Sequence, residues 1–263
     1  MLESLQDRTE ASYLVTELAR RILEEESDVV AKLRYIQRTV AYAKDFVAVE
    51  DAKQLRLLML IPETAKYFAG STFSVHDGSY RLVAAKNTET QLNAVMAYVA
   101  ASSLVFAHSF LEFVLETLLR ITRLCDIAPW LSFIGNKDVS ISAILETGLE
   151  QTIEAKLKKF IASLHKEGLL TKVDYLAKVL KCNICKSGVI DYTYDSERLA
   201  GIDTLRHQLS HHRKKDYRIE TAQADITYVY RTAFHFLDLG VHHYDLYGAQ
   251  RPKESNANPI QSL

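Results

Sequence analysis

The run from Ala94 to Leu119 constrains the fold more than any other part of the chain. Only His108, Glu112 and Glu116 interrupt a sequence that is otherwise apolar or small. Leu92, Val95, Val99, Phe106, Phe110, Phe113, Leu115 and Leu118 recur so that a helix over about 88–124 is apolar on most of its sides. Such a helix belongs at the centre of a bundle, where neighbours cover it all round. The three ionisable residues break the run, so no stretch is expected to span a bilayer.

The rest of the chain supplies helices to surround it. Leu14, Leu18, Ile22, Val29, Leu33, Ile36 and Val40 keep helical spacing and predict a helix over about 9–47. Glu24-Glu25-Glu26 within it is either a solvated face or a break between two helices. A helix over about 51–60 follows, and Pro62 opens another short one. From Ser71 to Ala84 the pattern changes: Thr72–Val75 and Tyr80–Val83 flank His76-Asp77-Gly78-Ser79, and an Asp-Gly turn between β-prone runs predicts a small hairpin. Ala128-Pro129-Trp130 ends the central helix.

Beyond it, Gly148–Leu164 reads as a basic amphipathic helix with Lys156, Lys158 and Lys159, and Lys166 lies just past it. A helix over about 172–180 is followed by an irregular stretch with a short strand at 189–194. Ser196 caps a helix to about His211 whose core face is Leu199, Ile202, Leu205 and Leu209. A last long helix covers about 221–246. Few breakers, 9 Gly and 4 Pro, agree with long helices. The fold class expected is mainly α. An N-terminal helical region over 1–85 carries the hairpin near 71–84, a helical bundle occupies 86–248, and 249–263 is a disordered tail.

With 32 basic and 33 acidic residues there is no global basic excess, so nucleic-acid contact would need a local patch. Three cysteines are an odd count and too few for a disulfide framework, which suggests a reducing, cytoplasmic setting. The first residues lack a basic segment followed by an apolar run, so no signal peptide is expected. Cys182-Asn183-Ile184-Cys185 is a lone Cys-x-x-Cys. Zinc needs four ligands, and His165 or Cys125 would have to supply them from a distance, so two reduced, partly buried thiols are the simpler reading. Glu112 and Glu116 lie one turn apart, as in carboxylate-bridged metal bundles, but the Glu-x-x-His pairs of those bundles do not occur. No Gly-rich phosphate loop is present, and neither a metal nor a cofactor is expected.

The local patch is Arg206-His207-Gln208-Leu209-Ser210-His211-His212-Arg213-Lys214-Lys215, three of the nine histidines and four cations in ten residues. These are the parts for cutting RNA without a metal. A base removes the 2′-OH proton, a pentavalent phosphorane forms, and an acid protonates the leaving 5′-oxygen. Histidine suits both transfers because its ordinary pKa, ~6.5, is near working pH. Arginine holds two phosphate oxygens in its planar fork. His212, Arg213, Lys214 and Lys215 read either as an ordinary exposed turn or, next to the motif, as a phosphate-guiding patch. A constraint follows from helix geometry. Five residues along a helix put Arg206 and His211 roughly 140° apart, whereas His207 and His211 share a face. Either the helix ends before His211, or a two-fold dimer brings the groups to one cleft. The bland alternative is a surface cation near a helix C-terminus, where positive charge favours the dipole. His235, His242 and His243 on the last helix read as surface or interface residues.

Arg206-His207-Gln208-Leu209-Ser210-His211 resembles the signature of the HEPN superfamily, an Arg, a polar residue, three or more further residues and a His. The context is similar too: the motif sits on a penultimate helix, a basic loop follows, and a long helix closes the domain. Ala100–Val105 through Glu112–Glu116 resembles the long central helix of those bundles. The resemblance covers about 88–247. It implies a metal-independent endoribonuclease acting as a homodimer, often in antiviral defence or beside an antitoxin, with no membrane involved. Arg206 and His211 are then the catalytic pair. His207 stands where Asn is commonest, and Glu112 is a candidate for orienting a catalytic histidine. Other members have lost catalysis, so the alternative expectation is a silent interaction module that binds a partner protein or a nucleotide.

Overall fold

The computed structural model describes residues 5–48, 78–133, 144–145, 147–185, 192–211 and 217–246. Helices carry 89% of the described residues. They are α1 (Leu5–Ala48), α2 (Gly78–Cys125), α3 (Leu149–Ser163), α4 (Leu169–Leu180), α5 (Ser196–Ser210) and α6 (Ile219–Tyr244), with short 3-10 turns at Ala128–Phe133 and Leu164–Lys166.

α1 buries Ala11, Val15, Leu18, Ile22, Val29, Leu33 and Val40, a stripe at steps of three, four and seven residues. Its other faces are held by same-helix ion pairs, Arg20–Glu24 at 2.5 Å and Arg21–Glu17 at 3.1 Å among them. Helix continues through Glu24-Glu25-Glu26, so that run is a face and not a break. α1 runs antiparallel to α6. Arg8 donates to the Tyr244 carbonyl near one end, and the Gln37 amide donates to Glu220 near the other, at 3.3 Å in each case.

α2 packs against α1, α4, α5 and α6 and is the centre of the molecule. Its buried face is Ala100, Leu104, Ala107, Leu111, Val114, Leu115 and Leu118, and α6 answers with Ile226, Val229, Tyr230, Ala233 and Phe236. Each fully buried Leu contributes about 1.5–3 kcal/mol relative to an exposed one. Apolar side chains of α1 belong to the same core. Past α2, the turn at Ala128–Phe133 buries Trp130, whose ring meets Phe133 at 5.5 Å and Phe160 of α3 at 6.2 Å, while Phe133 meets Tyr175 of α4 at 5.2 Å. This aromatic cluster ties α3 and α4 to the end of α2.

Several expectations need correction. The chain is helical from Gly78, so Tyr80–Val83 is not a hairpin strand, and the first half of that hairpin lies outside the described residues. Extending a formed helix adds a hydrogen bond per residue without a new nucleus, and that outweighs the local turn signal. The helices expected at 51–60 and after Pro62, and the tail from 249, also lie outside the described residues. In the expected strand at 189–194 only 192–194 are described, and Thr193 makes an isolated bridge. α5 is capped by Asp195, not Ser196: the Asp195 carboxylate accepts the Arg198 backbone N–H at 3.0 Å.

The central helix is not covered all round. Val95, Tyr98, Phe106 and Phe113 are 53, 66, 48 and 42% exposed, with Ser102 and Ser109 exposed between them. The six positions form one stripe at three- and four-residue steps. By length and composition alone, Thr90–Cys125 also contains an 18-residue window apolar enough to cross a bilayer.

Candidate functional site

α5 lies on α2 and ends at Ser210, with His211 as its C-cap at φ −100°. The His211 N–H donates to the His207 carbonyl at 3.3 Å. The two imidazoles meet edge to face with centroids 4.6 Å apart, and both are exposed. His207 and His211 are thus one four-residue step apart on the outer face of α5. His212, Arg213, Lys214 and Lys215 lie outside the described residues.

Arg206 turns the other way, toward α2. Its Nη2 lies 3.4 Å from Asp203 Oδ1 and 3.6 Å from Glu112 Oε1. The helix therefore ends before His211, as one of the two expectations required, yet His211 contacts His207 and not Arg206. Glu112 reaches the motif through Arg206, and its second neighbour is His108 Nδ1 at 3.8 Å.

These groups belong to a larger charged cluster at the seam of α2, α4 and α5. His108 is fully buried, and its Nε2 is 2.8 Å from Asp203 Oδ1. Burial, and then the Arg206 charge, hold His108 below the ordinary histidine value, against the opposing pull of Glu112 and Asp203. A neutral His108 donates Nε2–H to Asp203, which leaves Nδ1 as a buried acceptor without a hydrogen-bond partner. Lys172 of α4 is 1% exposed and donates to Glu116 at 2.8 Å, with Glu112 at 4.0 Å. Three carboxylates and two cations alternate here. Among the described residues, no group of three His, Cys, Asp or Glu side chains is placed to hold a metal ion.

Asp203 and Lys172 are absent from the sequence expectations, though both leave a trace in the sequence. Asp203 stands three residues before Arg206, an ion-pair spacing on a helix. Lys172 falls among Leu169, Val173, Leu176 and Leu180 on the apolar face of α4, where a solvated lysine has no place.

Other candidates lie elsewhere. Cys182 is half-buried, with its thiol pushed up by burial, and Cys185 is exposed. His165 is exposed, with Nδ1 2.8 Å from the Ala162 carbonyl. His242 and His243 are exposed, but His235, expected at the surface or an interface, is fully buried within the chain. Its Nε2 donates to the Ile184 carbonyl at 2.6 Å and so helps to pin the stretch before α5 onto α6. Tyr228 does the same by donating to the Asp195 carbonyl at 2.6 Å. Burial holds His235 below the ordinary histidine value.

Compared with models of protein families, with curated proteins and with solved structures, the chain matches none.

Proposed function

We propose that this chain is a metal-independent endoribonuclease of the HEPN type, active as a homodimer in the cytoplasm. The observation that carries the reading is the exposed His207–His211 pair at the end of α5, with the basic run His212–Lys215 next in the sequence. One imidazole takes the 2′-OH proton. The 2′-oxygen bonds to phosphorus, the bond to the 5′-oxygen breaks, and the second imidazole protonates that leaving oxygen. The products are a 2′,3′-cyclic phosphate and a 5′-hydroxyl, and no water is consumed. His212, Arg213, Lys214 and Lys215 attract the phosphate backbone.

Arg206 stabilises the phosphorane in this reading. Its guanidinium faces α2 within its own chain, and the proposed dimer brings both copies' helix ends to one cleft, where a phosphate competes with Glu112 and Asp203 for the fork. The stripe of Val95, Tyr98, Phe106 and Phe113 on α2 supports self-association, since it is apolar, uncharged and exposed. Its register is self-complementary. In an antiparallel pairing centred near Leu104, Phe106 faces Ser102, Phe113 faces Val95 and Tyr98 faces Ser109. The biological setting in this reading is antiviral defence or a toxin–antitoxin pair, with an antitoxin or defence protein as partner.

One observation favours a second reading, a silent interaction module that binds a partner protein or nucleotide. Asp203 and Glu112 compensate the Arg206 charge inside the chain, as in a purely structural ion pair. Purified protein incubated with mixed RNA in EDTA separates the two. The nuclease reading expects fragments with 2′,3′-cyclic phosphate ends. Intact RNA, or cleavage only after a divalent metal is added, refutes it and leaves the module.

A further inference from the structure

We propose that the groove between α1, α2 and α3 binds a free amphipathic anion, an alkyl chain ending in a carboxylate or similar acid. The inference does not rest on the nuclease reading. The groove encloses about 590 Å³, within the ~300–1,000 Å³ typical of small-molecule sites. Leu18, Phe113, Leu124 and Ile161 make its apolar wall.

The charge of the lining selects the ligand's head. Four cations, Arg21, Arg120, Arg123 and Lys158, stand against two acids, Glu10 and Glu17. Arg21 is paired to Glu17 at 3.1 Å, and Arg123 to Glu154 at 2.5 Å. Arg120 and Lys158 are exposed and make no ion pair among the described residues. Against these two cations the lining sets one acid unpaired among the described residues, Glu10, and the remaining positive charge beside an apolar wall attracts an anion that also carries a hydrocarbon body.

The absence of other polar groups from the lining selects that body. Thr117 is the single neutral polar side chain there, and its hydroxyl is committed to the Phe113 carbonyl at 2.8 Å. The donors and acceptors of the lining are therefore charged side chains, and AMP as a control tests whether they read a nucleobase instead. A groove walled by three helices has room for one free chain, whereas a bilayer surface would need a flat face.

Calorimetric titration of the full chain tests this with laurate as probe, below its micelle-forming concentration. Dodecyltrimethylammonium (same chain, opposite charge) and AMP (anion, no chain) are the controls. Laurate is expected to saturate at one per chain and to bind at least about tenfold more tightly than either control. The double variant Arg120→Ala/Lys158→Ala, which leaves the apolar wall intact, is expected to weaken laurate at least about tenfold. Ala162→Trp places a large ring in the groove from an exposed position and is expected to abolish binding, with unchanged thermal unfolding. No saturable laurate binding, a control that binds as tightly, or wild-type affinity in either variant overturns the proposal.

Discussion

Lys172→Met breaks the most deeply buried ion pair in the charged cluster, and its cost follows from the geometry. The ammonium is 1% exposed, 2.8 Å from Glu116 and 4.0 Å from Glu112. At an effective dielectric constant of ~20, a pair at that shorter distance attracts by about 6 kcal/mol before hydration is counted. Breaking a buried pair by removing one partner costs ~3–5 kcal/mol. Here the stranded carboxylates are 20% and 27% exposed and regain part of their hydration. The expected loss therefore sits at the lower end, about 3 kcal/mol, or roughly 6–12 °C in Tm at ~2–4 °C per kcal/mol. Glu116→Gln is expected to cost as much or more, because it leaves a fully buried ammonium with only Glu112 at 4.0 Å. The double variant Lys172→Met/Glu116→Met should recover most of the loss, since an apolar pair of similar volume is neutral or better in such a place. Urea unfolding followed by circular dichroism gives all three values. A loss below about 1 kcal/mol for Lys172→Met, or a double variant no better than the sum of its singles, would refute the argument.

Three further outcomes are expected. His108 and His235 are both held below the ordinary histidine value. The folded state is therefore at full strength above pH ~6.5, and it weakens as pH falls from there toward the folded values, because the unfolded chain binds the protons first. Urea midpoints between about pH 7.5 and 5.5 check the sign, and Arg206→Ala should shrink the acid loss by removing a charge that holds His108 down. Phe106→Glu should turn a dimer into a monomer in sedimentation at micromolar concentration and lower the cleavage rate; a stable wild-type monomer with full activity would contradict the composite site. Replacing Arg213, Lys214 and Lys215 by Ala should weaken RNA binding similarly for all sequences. It should also flatten the salt dependence by up to about 0.7 in slope for each single-strand phosphate no longer neutralised. Arg206→Ala should instead slow turnover of bound RNA more than it lowers affinity, and a loss of affinity alone would make Arg206 a binding residue.

Hydrophobic spacing made the long helices legible, and the structure extends the expected α1 and α2 rather than moving them. What spacing does not say is which apolar residues have a neighbour. Phe106 and Phe113 have the same periodicity as Leu115 and Leu118, yet the first two are exposed and the last two buried. Short-range signals were the weakest guide. Asp77-Gly78 is sound turn chemistry, yet the chain is helical from Gly78, and Asp195 and Ser196 are both competent caps that only backbone geometry separates. At the site, the angular argument separating Arg206 from His211 holds within one chain. The pairing of His108 with Asp203 was less legible, because the two stand 95 residues apart in sequence and meet only through the packing of α5 on α2.

The most direct test of RNA cleavage by this chain is a single-turnover assay on a labelled RNA in EDTA, comparing wild type with His211→Ala. A general acid or base contributes ~10²–10⁴-fold, so the variant should lose that much rate while keeping wild-type RNA affinity and the same urea midpoint. Equal rates in the two proteins would contradict the assignment of catalysis to the end of α5.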